Sequence, residues 1–234
     1  MRIAVFSDVH GNVRALEAVL ASIRSRGPFE QVINAGDLAF GGPCPREAMD
    51  LLMRSGFPTA RGNTDEWIAG EQGIPKSVSQ AAIAWTRERL APSHLAFLQR
   101  LPLPHRVEPP GGPPLVAVHA TPTSTTEVLA PDAPAESVAQ MFAQARTRTL
   151  AYGHIHPPYV RDVVDGLVVN VGSVGFPFDG IPQPAWAIFT LTEGRWTAEI
   201  IRVTYDHEAV AQDLLASDHP DAAVFAQRAR TGRA

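Results

Sequence analysis

The chain has 234 residues, 45% of them apolar and 19% charged, which is the composition of an ordinary globular protein of one generous domain. Its net charge of -4 leaves no broad cationic surface, so non-specific nucleic-acid binding is not expected. The single cysteine, Cys44, excludes an intramolecular disulfide, and no window approaches the ~18 apolar residues of a membrane span. Arg2 leads straight into a short apolar strand, which reads as a chain without a secretory signal and gives cytoplasmic localisation as the expectation.

In chain order, "RIAVFS" reads as a buried strand. "NVRALEAVLASIRSRG" reads as a helix with Val13, Leu16, Val19, Leu20 and Ile23 on one face, closed by Gly27 and Pro28. "QVINAG" is a second strand, "REAMDLLMRSG" a second helix and "PTARGN" a third, shorter strand, a βαβαβ rhythm that implies a parallel sheet. Residues 65–104 are mostly helical ("SQAAIAWTRERL" and "PSHLAFLQRL") and form a candidate cover on the substrate side. "RVEPPGGPPLVAVHA" gives a turn and a strand, and "TPTSTTEVLAPDAPAES" reads as loop. "TLAYGHIHPPYVRDVVDGLVVNVGSVG" gives two more strands. "PAWAIFTLTEGRWTAEIIRVTY" is a hairpin around Glu193 and Gly194, and one helix from about Asp206 to Ala229 ends a single 1–234 domain. His94, His105, His207 and His219 read as surface residues.

Five apolar strands end in a potential metal ligand: "VFSD" at Asp8 with His10 two further on, "INAGD" at Asp37, "TARGN" at Asn63, "VAVH" at His119, and "LAYGH" at His154 with His156 two further on. Each alone has a plain structural explanation. Asp8 and Asn63 could cap helices, Asp37 could serve a turn, and His119 could be a satisfied, half-buried histidine. Together they converge, because sheets of this kind bind ligands outside the carboxyl ends of their strands, and i, i+2 pairs in extended chain share a face. Seven ligands exceed a single zinc site and suit two first-row cations, with Asp37 a candidate bridge. A pair of cations about 3.5–4 Å apart clamps the oxygens of an in-line phosphoryl displacement. Two carboxylates leave roughly one positive charge on such a centre even with a bridging hydroxide, enough to attract a phosphate ester.

The ordered motifs "DVHGN", "GDLAFGG", "GNTD", "VHA" and "GHIH" resemble those of the calcineurin-like metallophosphoesterases. "GGPCPREAMDLL" and "NVGSVGFPFDG" are similar to the small YfcE-like phosphodiesterase branch. The resemblance implies an α/β fold, the family's four-layer α/β/β/α sandwich with two mixed sheets flanked by helices. It assigns Asp8, His10 and His156 to a first metal, Asn63, His119 and His154 to a second, and Asp37 as the bridge, with Asp37, Asn63 and His119 at the reaction centre. The implied cofactors are two divalent ions, Mn favoured, with Fe, Ni, Co and Zn also accepted by such ligands.

The implied activity is a dinuclear-metal phosphodiesterase whose nucleophile is a metal-bridging hydroxide, acting on a phosphate-ester small molecule or nucleotide; a homo-oligomer is compatible with it. The alternatives are a phosphomonoesterase (a phosphoprotein or dinucleoside polyphosphate phosphatase) and, from another class, a non-catalytic interaction module on this fold. One position departs from the wider pattern: Thr64 stands where many relatives have the histidine that protonates the leaving group. A threonine hydroxyl cannot act as an acid near pH 7, a loss of about 10²–10⁴ in rate when the leaving group is poor. Diesters and good leaving groups are therefore expected. Asn12, Thr64, Asp65 and Ser173 are weaker candidates for substrate contact or support; Asp65 either braces a ligand or caps a helix.

Overall fold

The protein is described here from a computed structural model. It covers residues 1–70, 74–163 and 166–234; the parts of the expected helical and strand segments that fall on 71–73 and 164–165 lie outside the described residues.

The first half runs β1 (Arg2–Phe6), α1 (Val13–Arg26), β2 (Gln31–Asn34), α2 (Pro45–Ser55), α3 (Asn63–Ala69), α4 (Gln80–Arg89) and α5 (Pro92–Gln99). The second half runs β3 (His105–Val107), β4 (Leu115–Ala117), α6 (Ala135–Ala145), β5 (Thr149–Tyr152), β6 (Tyr159–Val163), β7 (Gly166–Asn170), β8 (Ala185–Thr192), β9 (Arg195–Arg202), α7 (His207–Ala216) and α8 (Ala222–Thr231). The strands form two mixed sheets, β2-β1-β8-β9 and β3-β4-β5-β7-β6. Within them β1 and β2 are parallel, as are β4, β5 and β7; the other pairings are antiparallel.

The alternation of β1 builds the layers. Ala4 and Phe6 point into a core with Leu16, Val19 and Ile23 of α1 and Met49 and Leu52 of α2. Ile3 and Val5 point the other way, onto Leu115, Ala117, Ala151 and Val169 of the second sheet. The far face of that sheet, with Val116, Leu150 and Val168, is covered by Val138, Met141 and Phe142 of α6. Helices, sheet, sheet and helix thus stack as the expected α/β/β/α sandwich. A fourth core joins α7 and α8 to Phe176 through Val210, Leu214, Phe225 and Ala226.

The sequence expectations need correction at several points. "PTARGN" is reduced to a single parallel bridge between Asn34 and Thr59, so the first sheet takes its other partners antiparallel, from the late hairpin. The segment after Thr149 holds three strands, because "YVRDV" folds back on "GLVVN" as β6 against β7. The loop-like stretch after His119 runs into α6, whose apolar residues Val138, Met141 and Phe142 keep helical spacing behind the Pro-rich lead-in. The final helix is two: Ser217 ends α7, and Pro220, which cannot continue a helix, separates it from α8. His94 and His219 are buried. His94 Nδ1 accepts from the Ala91 N–H at 3.3 Å, so its Nε2 donates to Asp50 at 2.8 Å and ties α5 to α2. His219 packs on Trp85 and Phe225.

Phe189 is fully buried in the core where the two sheets meet. Phe189→Ala is expected to cost about 3–5 kcal/mol of stability, read as a lower urea midpoint at an unchanged m-value.

Candidate metal centre

The parallel strands of both sheets deliver their carboxyl ends to one rim. Asp8 and His10 follow β1, Asp37 follows β2, His119 follows β4, and His154 and His156 follow β5. Asn63 arrives on the first turn of α3, just past the Asn34–Thr59 bridge. All seven predicted ligands come together, and all but His154, which is half-buried, are buried.

The backbone there is strained in one consistent way. Asp8, His10, Asp37, His154 and His156 have φ of 56°, 51°, 58°, 66° and 72°. These are five of the seven non-glycine residues with positive φ among the described residues. Left-handed conformations cost side-chain-bearing residues on the order of 1–3 kcal/mol each and persist only where neighbours over-determine them. Here the neighbours do. Asp8 N–H donates to Gly36 O at 2.9 Å, His10 N–H to Asp37 O at 3.0 Å, and Gly175 N–H to Asp8 O at 2.8 Å. The Asp65 carboxylate accepts from the N–H groups of Asp37, Leu38 and Gly62, each at 2.9 Å. Asp65 therefore both braces the Asp37 turn and closes the start of α3. Burial and the nearby Asp37 carboxylate push its pKa up to about 6.

Three imidazoles are fixed through Nδ1 on backbone carbonyls: His10 on Phe40 at 2.9 Å, His119 on Ala35 at 3.0 Å, and His156 on Phe176. A carbonyl accepts only, so each Nδ1 carries a proton and each ring turns its Nε2 into the site, where that atom can serve as a ligand once it carries no proton. His10 Nε2 and His156 Nε2 are 3.2 Å apart, and Asp8 Oδ1 lies 3.6 and 3.3 Å from them. That oxygen is buried and has no well-directed hydrogen-bond partner.

Asp37 spans two groups, with Oδ2 3.7 Å from His10 Nε2 and Oδ1 3.5 Å from His119 Nε2. Asn63 Oδ1 sits 2.9 Å from His119 Nε2 and 3.0 Å from His154 Nδ1. Two three-residue groups, Asp8/His10/His156 and Asp8/Asp37/His119, are close enough to hold an ion. Oxygen and imidazole donors of this kind fit first-row divalent cations. The same crowding of carboxylates and imidazoles draws positive charge into the site, a proton or a metal ion competing for the same Nε2 atoms. Burial opposes charge on Asp8, but the facing imidazoles of His156 and His10 hold its carboxyl well below the usual range. Burial likewise opposes protonation of His10 and His119, yet the surrounding carboxylates raise both.

Two glycines of the motifs are required by close approach. A Cβ on Gly62 would stand 2.1 Å from Asp37 Oδ1, and one on Gly153 would stand 2.2 Å from Asp8 Oδ2.

The weaker candidates divide. Asn12 and Ser173 are fully buried and occupied within the protein. Asn12 Oδ1 caps α1 by accepting from the Ala15 N–H, and its Nδ2 donates to Gly175 O and the Tyr205 hydroxyl, so α1 is capped by Asn12 and not by Asp8. Ser173 Oγ donates to Asp8 O and accepts from the Phe176 N–H. The Thr64 N–H donates to Asp37 Oδ1 at 3.0 Å, and its buried hydroxyl has no partner.

Sequence reasoning missed the brace behind the first group. Phe225 of α8 packs edge-on against Phe40 and tilted against Phe176, the two residues whose carbonyls orient His10 and His156. Nothing in the motifs points so far along the chain.

Residues 1–194 match the model of the calcineurin-like phosphoesterase superfamily domain. An uncharacterized protein of Methanocaldococcus jannaschii is 30% identical over 238 residues, covering 94% of each chain. A metallophosphoesterase crystal structure from Sphaerobacter thermophilus aligns with a TM-score of 0.77 at 28% identity over 99% of each chain. A hypothetical protein of Pyrococcus horikoshii shares the fold at a TM-score of 0.84 and 21% identity, over 100% of this chain and 99% of that one.

Asp65→Ala would orphan three buried N–H groups around Asp37. The expected result is a loss of about 1–3 kcal/mol of stability per unsatisfied donor at most, read by urea denaturation. Mn²⁺ affinity should fall about 10–100-fold, read by calorimetric titration.

Proposed function

Because the chain belongs to the calcineurin-like phosphoesterase superfamily, we propose that it is a phosphoric ester hydrolase that works with two divalent cations and prefers diesters. The observation that carries this reading is a convergence of acceptors. Two imidazole nitrogens 3.2 Å apart and a carboxylate oxygen within 3.6 Å of both form a pocket that needs positive charge, a shared proton or a metal cation, and whose donor set suits the metal. Asp8, His10 and His156 are the ligands of the first cation in this reading. Asn63, His119 and His154 are those of the second, and Asp37 bridges, one oxygen toward each group. Mn²⁺ is the favoured ion.

When bound, such a pair supplies a hydroxide nucleophile near neutral pH and neutralises charge on the phosphoryl oxygens. The chain's own residues hold and orient. The carbonyls of Phe40, Ala35 and Phe176 keep three imidazoles in the ligating tautomer. Asp65 and the Thr64 N–H fix the turn and the carboxylate of Asp37. What the chain does not offer at position 64 is a proton for the leaving group, since a threonine hydroxyl has no accessible pKa. An ester whose leaving group departs without help suits this site, which favours diesters of acidic alcohols and nucleotide-type leaving groups over phosphoproteins.

The direct test strips the protein with chelator, reloads it with Mn²⁺ and compares bis-p-nitrophenyl phosphate with p-nitrophenyl phosphate. Metal-dependent turnover strongly favouring the diester is expected. A preference for the monoester would replace this reading with a phosphomonoesterase, and inactivity toward both with metal bound would favour an interaction module. Asp37→Asn should lose most of the turnover with an unchanged far-ultraviolet circular dichroism spectrum; full turnover in that variant would rule out the bridging role.

A further inference from the structure

A second feature lies one aromatic ring away from His156. Phe178 stacks flat on the His156 imidazole, centroids 4.1 Å apart at 5°. The Arg228 guanidinium of α8 sits 5.6 Å from the Phe178 ring and 5.0 Å from Phe225. Arg228 is half-buried and its Nε is enclosed with no hydrogen-bond partner. Its guanidinium has no ion pair among the described residues.

By contrast, Arg230 of α8 is paired with Glu208, and Arg202 of β9 with Asp179. Asp221 is the acidic group whose charge reaches Arg228, and burial still outweighs it and pushes the guanidinium pKa down. A partly desolvated guanidinium with an enclosed, unpartnered Nε is costly, and an anion that matches its planar fork relieves part of that cost.

Arg228 also lines an open groove of about 900 Å³ between α8 and the 176–182 loop, within the range of small-molecule sites. A second arginine, Arg233, lines the same groove, with its Nε beside Gly180. Val224, which is exposed, and Ala223 supply apolar surface in it. Two arginines and apolar surface, with Arg228 over the Phe178 ring that covers His156, describe a place for part of a phosphorylated molecule.

We propose that the groove between α8 and the 176–182 loop is a subsite for a second phosphate of the substrate, gripped by Arg228 and Arg233, while the scissile phosphate occupies the metal centre. This rests on the phosphoesterase reading above and narrows it to diesters that carry an additional, non-scissile phosphate. Arg228 and Arg233 are then specificity residues: they touch the substrate away from the reacting bond and set which diester is held.

The test is binding, read by calorimetric titration of the Mn²⁺-loaded protein with thymidine 3′,5′-bisphosphate and with thymidine 5′-monophosphate. The bisphosphate should bind about 10–100-fold more tightly, the worth of one to two charge-assisted hydrogen bonds. Arg228→Met keeps an apolar stem over Phe225 and should abolish the difference. Arg233→Ala, a change at an exposed position, should reduce it. Equal affinities in the wild type, or a difference that survives both substitutions, would overturn the subsite. Turnover of bis-p-nitrophenyl phosphate, which has no second phosphate, reads the hydrolase assignment separately. An inactive protein that still discriminates through Arg228 would keep the subsite and lose the hydrolase.

Discussion

The site is organised by a mutual repulsion that the rest of the fold holds in place. Nε2 of His10 and of His156 are held 3.2 Å apart beside Asp8 Oδ1, with the opposite nitrogen of each ring committed to a carbonyl. No arrangement of neutral side chains prefers that geometry. Asp8, His10 and His156 all sit on left-handed backbone, and main-chain bonds with neighbouring strand ends pin Asp8 and His10 there. The strain and the crowding accompany one another, since both come with presenting several acceptors at one point, and a cation held there would offset the repulsion.

The two-sheet sandwich makes this possible by bringing distant parts of the chain to one rim. Asp8 follows the first strand and His156 follows β5 in the second half, yet Asp8 Oδ2 accepts from the His154 N–H at 3.1 Å. The β1 register that points Ile3 and Val5 at the second sheet aligns the carboxyl end of β1 with that of β5. The site thus depends on the inter-sheet core as directly as on its ligands. A shift of one residue in β1 would exchange the layers that Ala4 and Ile3 belong to and would carry Asp8 away from His156.

Much of this was legible in the sequence, for a physical reason. A ligand at the end of an apolar strand breaks the hydrophobic pattern where it has no structural need to, and Asp8, Asp37, His119 and His154 each do so. Glycines at Gly62 and Gly153 were visible in the same motifs, although the reason for them, the approach of Asp37 and Asp8, needs coordinates. What stayed hidden has no local signature. Asp65 could be read as a brace or a cap, and it is both, because the three N–H groups it accepts lie on two separated turns. The split at Pro220 carried a signal in the proline itself. The helix α6 was masked by a lead-in rich in proline, serine and threonine, although its own residues keep helical spacing.

The last helices show how support and specificity can come from one element. Phe225 presses on the residues whose carbonyls aim His10 and His156, so α8 influences the first ligand group without touching it. Three residues on, close to one helical turn, Arg228 lies over the same ring and over Phe178, which itself covers His156. A helix docked for the sake of the ligands is already rigid where a substrate's outer end would lie, so a cation placed on it is held in position before any substrate arrives. That economy gives a physical reason for a segment beyond the matched residues 1–194 to be packed against the centre. On the proposed reading, changes in α8 would act on metal affinity through Phe225 and on substrate choice through Arg228, two effects that separate because only the first passes through the carbonyls of Phe40 and Phe176.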